Sequence, residues 1–164
     1  MPDYPTEKFE RTLVIIKPDA LQRALVGEVI RRFEQKGLKI IGLKMLQIGE
    51  ESARRHYAMH QGKPFYEPLV RYMTSGPCVV MAVEGMEAIG VARRLAGKTF
   101  GAEAEPGTIR GDLALSYRFN VVHCADSKES AEREIPLFFQ EGDLLEYEVR
   151  NYPWVYDFST GEAV

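Results

Sequence analysis

The order of β-branched runs and helical periods most narrows the folds open to this chain. Thr12-Leu13-Val14-Ile15-Ile16 reads as a strand, stopped by Lys17-Pro18-Asp19. From Val26 to Lys36 the residues Val26, Val29, Ile30 and Phe33 share one helical face, and Gly37 closes the helix. Leu38 to Ile48 alternates roughly, with Ile41, Leu43 and Met45 set against Lys39, Lys44 and Gln47, as a second strand. Glu50 to His60 reads as a helix with acidic residues in its first turn, broken by Gly62-Lys63-Pro64. Phe65 to Met73 is a short helix closed by Ser75-Gly76-Pro77. Cys78 to Val83 is a third strand, and Met86 to Ala96 a helix. Val121-Val122 opens a fourth strand, followed by a helix that Pro136 should interrupt. This β-α-β-α-α-β-α-β-α order fits a ferredoxin-like α+β sandwich. Such a βαββαβ fold has a four-stranded, mainly antiparallel sheet, here with helices expected on one face, extra helices and a C-terminal tail. A doubly wound parallel sheet is the alternative, disfavoured by so few strands and by the lack of a Gly-rich first turn.

At 164 residues the chain reads as a single domain, 1–164, with a core over about 10–139 and a tail over 140–164. A hydrophobic fraction of 45% fits a globule. The formal net charge of -3 argues against dedicated nucleic-acid binding. No long apolar run is present and Met1–Arg11 is polar, so neither a membrane span nor a signal peptide is expected. Cys78 and Cys124 have no metal-site spacing and are too few for a disulfide framework. A reducing compartment, the cytoplasm, is the simplest inference.

The stretch Asn120-Val121-Val122-His123-Cys124-Ala125-Asp126-Ser127 carries the first chemical signal. It ends a strand and starts a helix, with Asp126 as expected N-cap and Glu129 as its capping-box partner. His123 then sits where open helix N–H groups favour anions. A neutral imidazole there can accept a phosphoryl group. A lone histidine in such a place is more often half-buried and merely hydrogen-bonded.

Three motif matches fail. Gly97-Lys98-Thr99 resembles the end of a P-loop, but Ala92 stands where the first glycine is needed. His123-Cys124 resembles a cysteine-dependent phosphatase, but Ser130 replaces the phosphate-clamping arginine. His56 and His60 have helical spacing, yet Tyr57 follows His56 where a zinc protease needs Glu, so both read as solvated helix residues. What remains is a phosphate-suited set. Lys17 ends a strand, Arg93 and Arg110 offer planar forks, Thr99 a hydroxyl and Asn120 an amide. Tyr57 and Phe65 lie near a helix break, where an aromatic face can meet a base. The long irregular segment from Gly97 to Phe119 is of a length that usually carries function.

Three motifs occur in order. They are Glu10-Arg11-Thr12 running to Ile16-Lys17-Pro18-Asp19, then Pro106-Gly107-Thr108-Ile109-Arg110-Gly111-Asp112, then Asn120-Val121-Val122-His123 with Asp126-Ser127, Glu129, Ser130 and Ala131. Together they closely resemble the nucleoside diphosphate kinase family, over nearly the whole chain from Glu10 to Tyr156. The resemblance implies a ferredoxin-like core and magnesium-dependent exchange of γ-phosphate between nucleoside triphosphates and diphosphates, which maintains those pools. It implies a ping-pong reaction through a phosphohistidine on His123, with Glu134 orienting the ring. Lys17 and Arg110 would neutralise the phosphoryl in flight, with Tyr57 beside its path. Arg93 and Thr99 would hold the β-phosphate, Asn120 and Lys17 the ribose hydroxyls, and Phe65 the base by stacking, which tolerates every base. Magnesium would be held through the substrate phosphates. The resemblance also implies a homo-oligomer, a hexamer or alternatively a tetramer.

The chain departs from the family's usual His-Gly-Ser-Asp-Ser: it reads His123-Cys124-Ala125-Asp126-Ser127. Without a hydroxyl at Ala125, Glu134 has one partner fewer. Tyr117 stands where the family usually places a small aliphatic residue, and can either sandwich the base against Phe65 or crowd it. The alternatives are a catalytically weak nucleotide-binding module of the same fold, or a ferredoxin-like RNA binder. The acidic balance and the absence of an RNP-type aromatic motif weigh against the RNA binder.

Overall fold

Strand β1 (Phe9–Ile16) runs through the middle of the molecule because its apolar run is continuous. Leu13, Val14, Ile15 and Ile16 are all fully buried, so both faces of the strand are covered. The computed structural model describes residues 8–160 and 163–164. Parts of the polar N-terminus (1–7) and of the tail (161–162) expected above lie outside the described residues. The remaining elements are α1 (Pro18–Gln22), α2 (Val26–Gln35), β2 (Lys39–Gln47), α3 (Glu50–His56), α4 (Tyr66–Met73), β3 (Pro77–Met86), α5 (Ala88–Ala96), α6 (Ile109–Leu113), β4 (Val122–Cys124) and α7 (Lys128–Phe138). The sheet has four strands in the order β2-β3-β1-β4, and every pair is antiparallel. That is a four-stranded antiparallel sheet, as expected of a ferredoxin-like fold.

The helices do not share one face, as the sequence led us to expect. Val14, Ile16, Val79, Met81 and Val83 pack with Val29 and Phe33 of α2 and Ala88 and Ala92 of α5. The alternate residues Leu13, Ile15, Val80 and Ala82 pack with Ala53 of α3, Val70 and Met73 of α4, and Phe138 of α7. Three smaller expectations also change. A short α1 follows β1 at once, with Pro18 at its first position, where the missing N–H costs nothing. Pro136 does not interrupt α7. It lies in the last turn, the helix runs on to Phe138, which is buried, and the Phe139 N–H bonds Ile135 O at 3.0 Å. The cap of α7 is Ser127 instead of Asp126. Its extended backbone aims the hydroxyl at the Ser130 N–H, 3.1 Å away.

On edge strand β2 a bulge at Ile40/Gly42 shifts the alternation. Ile41 stays buried while Leu43 and Met45, expected on the same inner face, are 50% and 68% exposed. The tail folds back along this edge and over β1. Leu145 N–H bonds Ile41 O at 2.7 Å, and Lys44 pairs with Asp143. Tyr152 and Tyr156 meet Phe9 with ring centroids 5.5 and 5.1 Å away, while Trp154 is 91% exposed.

Candidate active site

The short strand β4 aims His123. It pairs with Ile15, so its side chain projects to the face covered by α3 and α7. Entry to β4 is tightly constrained. Val121 has φ 71, a left-handed conformation that a β-branched residue adopts only under compulsion. Its N–H donates to Asp19 Oδ2 at 3.1 Å and its carbonyl accepts from Lys17 N at 2.8 Å. The start of α1, with the Asp19 carboxylate, thereby fixes the turn into β4.

One cavity of about 630 Å³ gathers every residue singled out from the sequence: Lys17, Tyr57, Phe65, Arg93, Thr99, Arg110, Tyr117, Asn120, His123 and Glu134. They come from elements scattered along the chain. His123 Nε2 shares a hydrogen bond with Glu134 Oε2 at 2.9 Å, on the second turn of α7. Glu134 is 3% exposed, and its second oxygen accepts from Arg133 at a long 3.4 Å. Burial raises the Glu134 carboxyl above its ordinary value, opposed by the neighbouring His56 and Arg133. Burial, and then the charges of Lys17 and Arg110, hold His123 far below the usual imidazole range, so the ring is neutral near pH 7. With Nε2 engaged by Glu134, Nδ1 is the ring nitrogen left open.

Cations ring the histidine. Lys17 is buried and donates to Asn120 Oδ1 at 2.6 Å, while Asn120 Nδ2 donates to Thr99 O at 2.8 Å. Arg110, on α6, spreads its guanidinium over three carbonyls: Gly97 O at 2.8 Å, Val122 O at 2.7 Å and Asn120 O at 3.3 Å. The segment read as irregular, Gly97 to Phe119, therefore contains a helix with a job. Thr108 caps it by accepting from Gly111 N at 3.0 Å, and Asp112 accepts from Gly107 N at 2.8 Å. A side chain on Gly111 would collide with the Glu105 carbonyl, so that turn requires glycine.

At the mouth, Phe65 is 45% and Tyr117 64% exposed. Tyr117 stacks on Phe100, with centroids 4.3 Å apart and planes 3° from parallel; among the described residues no ring contact joins it to Phe65. Ala125 is fully buried against Ile89 and Ala131 and offers Glu134 no hydroxyl. Cys124 is buried beside His123, its thiol pushed up to about 11 by burial and its Sγ directed at Ala92 O. It is inert by these criteria.

His56 is the residue that sequence reasoning missed. Expected to be solvated, it is 1% exposed, with its ring centroid 4.7 Å from that of His123. His60 is only partly buried, because α3 ends at His56 and a 3₁₀ turn over Ala58–His60 breaks the helical spacing. The ligand atoms of His56, His123 and Glu134 lie within 4.8 Å of one another. This is a nitrogen-rich set, unlike the oxygen cage that a hard cation such as magnesium needs. Among the described residues, Asp126 and Glu134 are the carboxylates lining the cavity.

Lys17 gives the site a pH signature. Burial first, then Arg110, lowers its pKa from 10.5 to about 8. Anion binding to the free site should therefore weaken above pH 8. The expected kcat/KM profile falls on its alkaline limb with a midpoint near 8; a flat profile to pH 9.5 would show that the charge on Lys17 is dispensable. For folding the sign is opposite. The unfolded chain binds this proton more tightly, so the cost of burying Lys17 eases as pH rises from about 8 towards 10.5.

Known proteins resemble this chain over most of its length. The nucleoside diphosphate kinase family model matches residues 10–144. A nucleoside diphosphate kinase of Thermomicrobium roseum is 58% identical over 147 residues, covering 90% of this chain and 99% of that protein. One from Archaeoglobus fulgidus is 56% identical over 149 residues, covering 91% and 99%. Among solved structures, a halophilic nucleoside diphosphate kinase from Halobacterium salinarum in complex with CDP superposes with a TM-score of 0.88 at 44% identity, covering 90% of this chain and 99% of the other.

Proposed function

The chain belongs to the nucleoside diphosphate kinase family and transfers phosphate between nucleoside triphosphates and diphosphates, and we propose that it does so through a covalent phosphohistidine on His123. The observation that carries this reading is the ring of His123: Nε2 is held by Glu134 at 2.9 Å, and the imidazole is neutral and faces a cavity lined by Lys17, Arg93 and Arg110.

The Nδ1 lone pair attacks the γ-phosphorus, the bond to the bridging oxygen breaks, and a nucleoside diphosphate leaves with that electron pair. The imidazolium keeps its Nε2–H, donated in a hydrogen bond to the Glu134 carboxylate, whose charge offsets the one gained by the ring. A second diphosphate then attacks the phosphorus in reverse and restores the neutral ring. Lys17 and Arg110 stabilise the oxygens of the phosphoryl in transit, which is where most of the catalysis of such a transfer resides. Tyr57 borders that path, and Arg93 and Thr99 take the β-phosphate. Asn120 and Lys17 take the ribose hydroxyls. Phe65 stacks on the base, with Tyr117 beside it, and a stacking contact reads no hydrogen-bond edge. Magnesium would be carried on the nucleotide phosphates and would neutralise their charge, with Asp126 the exposed carboxylate lining the cavity among the described residues.

Incubation with γ-labelled ATP is the direct test. The label should appear on the protein, base-stable and acid-labile. Turnover with no labelled protein would overturn the covalent route.

We also propose a homo-oligomer, a hexamer ahead of a tetramer. Exposed Leu43 and Met45 on an edge strand, with Trp154 and Leu115 at 91% and 84% exposure, support such contacts. Light scattering should report about six chains; a monodisperse monomer with full activity would refute assembly alone. Two buried free cysteines suit a reducing compartment, and the cytoplasm is the proposed location. Among the described residues no helix is long and apolar enough to cross a membrane.

A further inference from the structure

His56, the last residue of α3, is buried at the back of the cavity, yet neither ring nitrogen has a hydrogen-bond partner. A buried polar group left unpaired costs about 1–3 kcal/mol. The rings around it, Tyr57, His123 and Phe138, have centroids 4.4, 4.7 and 5.7 Å away. In that enclosure a phenylalanine would fill the space with no unpaired atom, so packing alone does not account for an imidazole.

What the ring can reach is Glu134. His56 Nδ1 lies 3.9 Å from Oε2, the oxygen that holds His123. This is too long for a hydrogen bond in the resting site but within a small rotation of one. Glu134 needs such a partner. Ala125 supplies no hydroxyl, and Arg133 reaches only Oε1, at 3.4 Å. Burial, with His123 next, keeps the His56 ring neutral, so it carries one N–H to donate.

We infer that His56 is a positioning residue for the transfer: its Nδ1–H takes up Glu134 Oε2 when phosphorylation reorganises His123, so the carboxylate stays seated throughout the cycle. This rests on His123 being the phosphorylated residue. The proton stays on His56, and no bond other than the hydrogen bond forms or breaks.

Three variants test it. His56→Phe keeps the ring and removes the donor; kcat should fall tenfold or more, with nucleotide KM within threefold. His56→Asn places an amide N–H near the Nδ1 position and should recover most of that loss. In an Ala125→Ser background, where a hydroxyl can reach Glu134, the His56→Phe loss should shrink to threefold or less. Unchanged turnover in His56→Phe, or equal losses in His56→Phe and His56→Asn that track melting temperature, would overturn the inference. If the variants do not fold, ¹⁵N NMR of histidine-labelled wild-type protein decides. An Nδ1-protonated His56 whose N–H becomes hydrogen-bonded on phosphorylation supports it; an Nε2-protonated ring in both states refutes it. His56→Phe with normal turnover while His123→Ala has no self-labelling would reject this inference and leave the phosphohistidine reading standing.

Discussion

His123→Ala should remove all self-labelling and lower transfer by at least about 10⁴-fold, the scale on which loss of a nucleophile acts. The effect should be this large because, among the described residues lining the cavity, His123 is the neutral imidazole set against Lys17 and Arg110, whereas His60 sits beside Phe65 at the mouth. Tyr57 is buried, with its phenol pushed far above its ordinary range by burial, and Cys124 is buried with its thiol pushed up to about 11. His56 lies behind His123, almost inaccessible at 1% exposure. The fold should survive. His123 keeps 22% of its side chain exposed, and the main loss is one partner of Glu134, worth about 1–3 kcal/mol. A measurement that pairs near-normal thermal stability with absent labelling separates chemistry from collapse. Transfer within a hundredfold of the parent would mean that another group accepts the phosphoryl.

Arg110→Ala should lower kcat by a hundredfold or more, the range reported for removing one preorganised donor from an anionic transition state. It should also cost stability, because this guanidinium ties Gly97 O to Asn120 O and Val122 O, joining two separate segments around the site. Leaving those carbonyls without their donor should cost about 3 kcal/mol or more. Arg110→Lys keeps a charge but cannot span the same three acceptors, so it should recover little of either loss. Steady-state kinetics with a melting curve on both variants checks this. Activity within threefold of the parent in Arg110→Ala would remove Arg110 from the phosphoryl path.

Much of this was legible in the chain. The strands declare themselves because Leu13 to Ile16 and Val79 to Val83 are unbroken apolar runs. The same runs held a second message: a strand with no alternation is covered on both faces, which is why helices lie on each side of the sheet. The bulge at Ile40/Gly42 left no comparable mark, so the exposure of Leu43 and Met45 could not be read from a pattern that seemed to alternate. Pro136 misled because a helix breaker is tolerated when it falls in a last turn anchored by a buried Phe138.

Within the site, residue types could be chosen for phosphate chemistry one by one. Their convergence depends on three-dimensional returns of the chain: Lys17 bonds Asn120 across 103 positions. Family resemblance supplied that grouping. It did not point to His56, whose helical spacing to His60 looked solvated until α3 ended at His56 and turned the ring inward.

The central claim is that one nitrogen of His123 carries the phosphoryl between two nucleotides. The most direct measurement is a chase. The protein is labelled with γ-labelled ATP, freed of nucleotide, and mixed with an unlabelled nucleoside diphosphate of a different base. The account predicts that nearly all label leaves the protein within one turnover and appears as the γ-phosphate of the new triphosphate. Label that stays on the protein while steady-state transfer proceeds at its normal rate would contradict it.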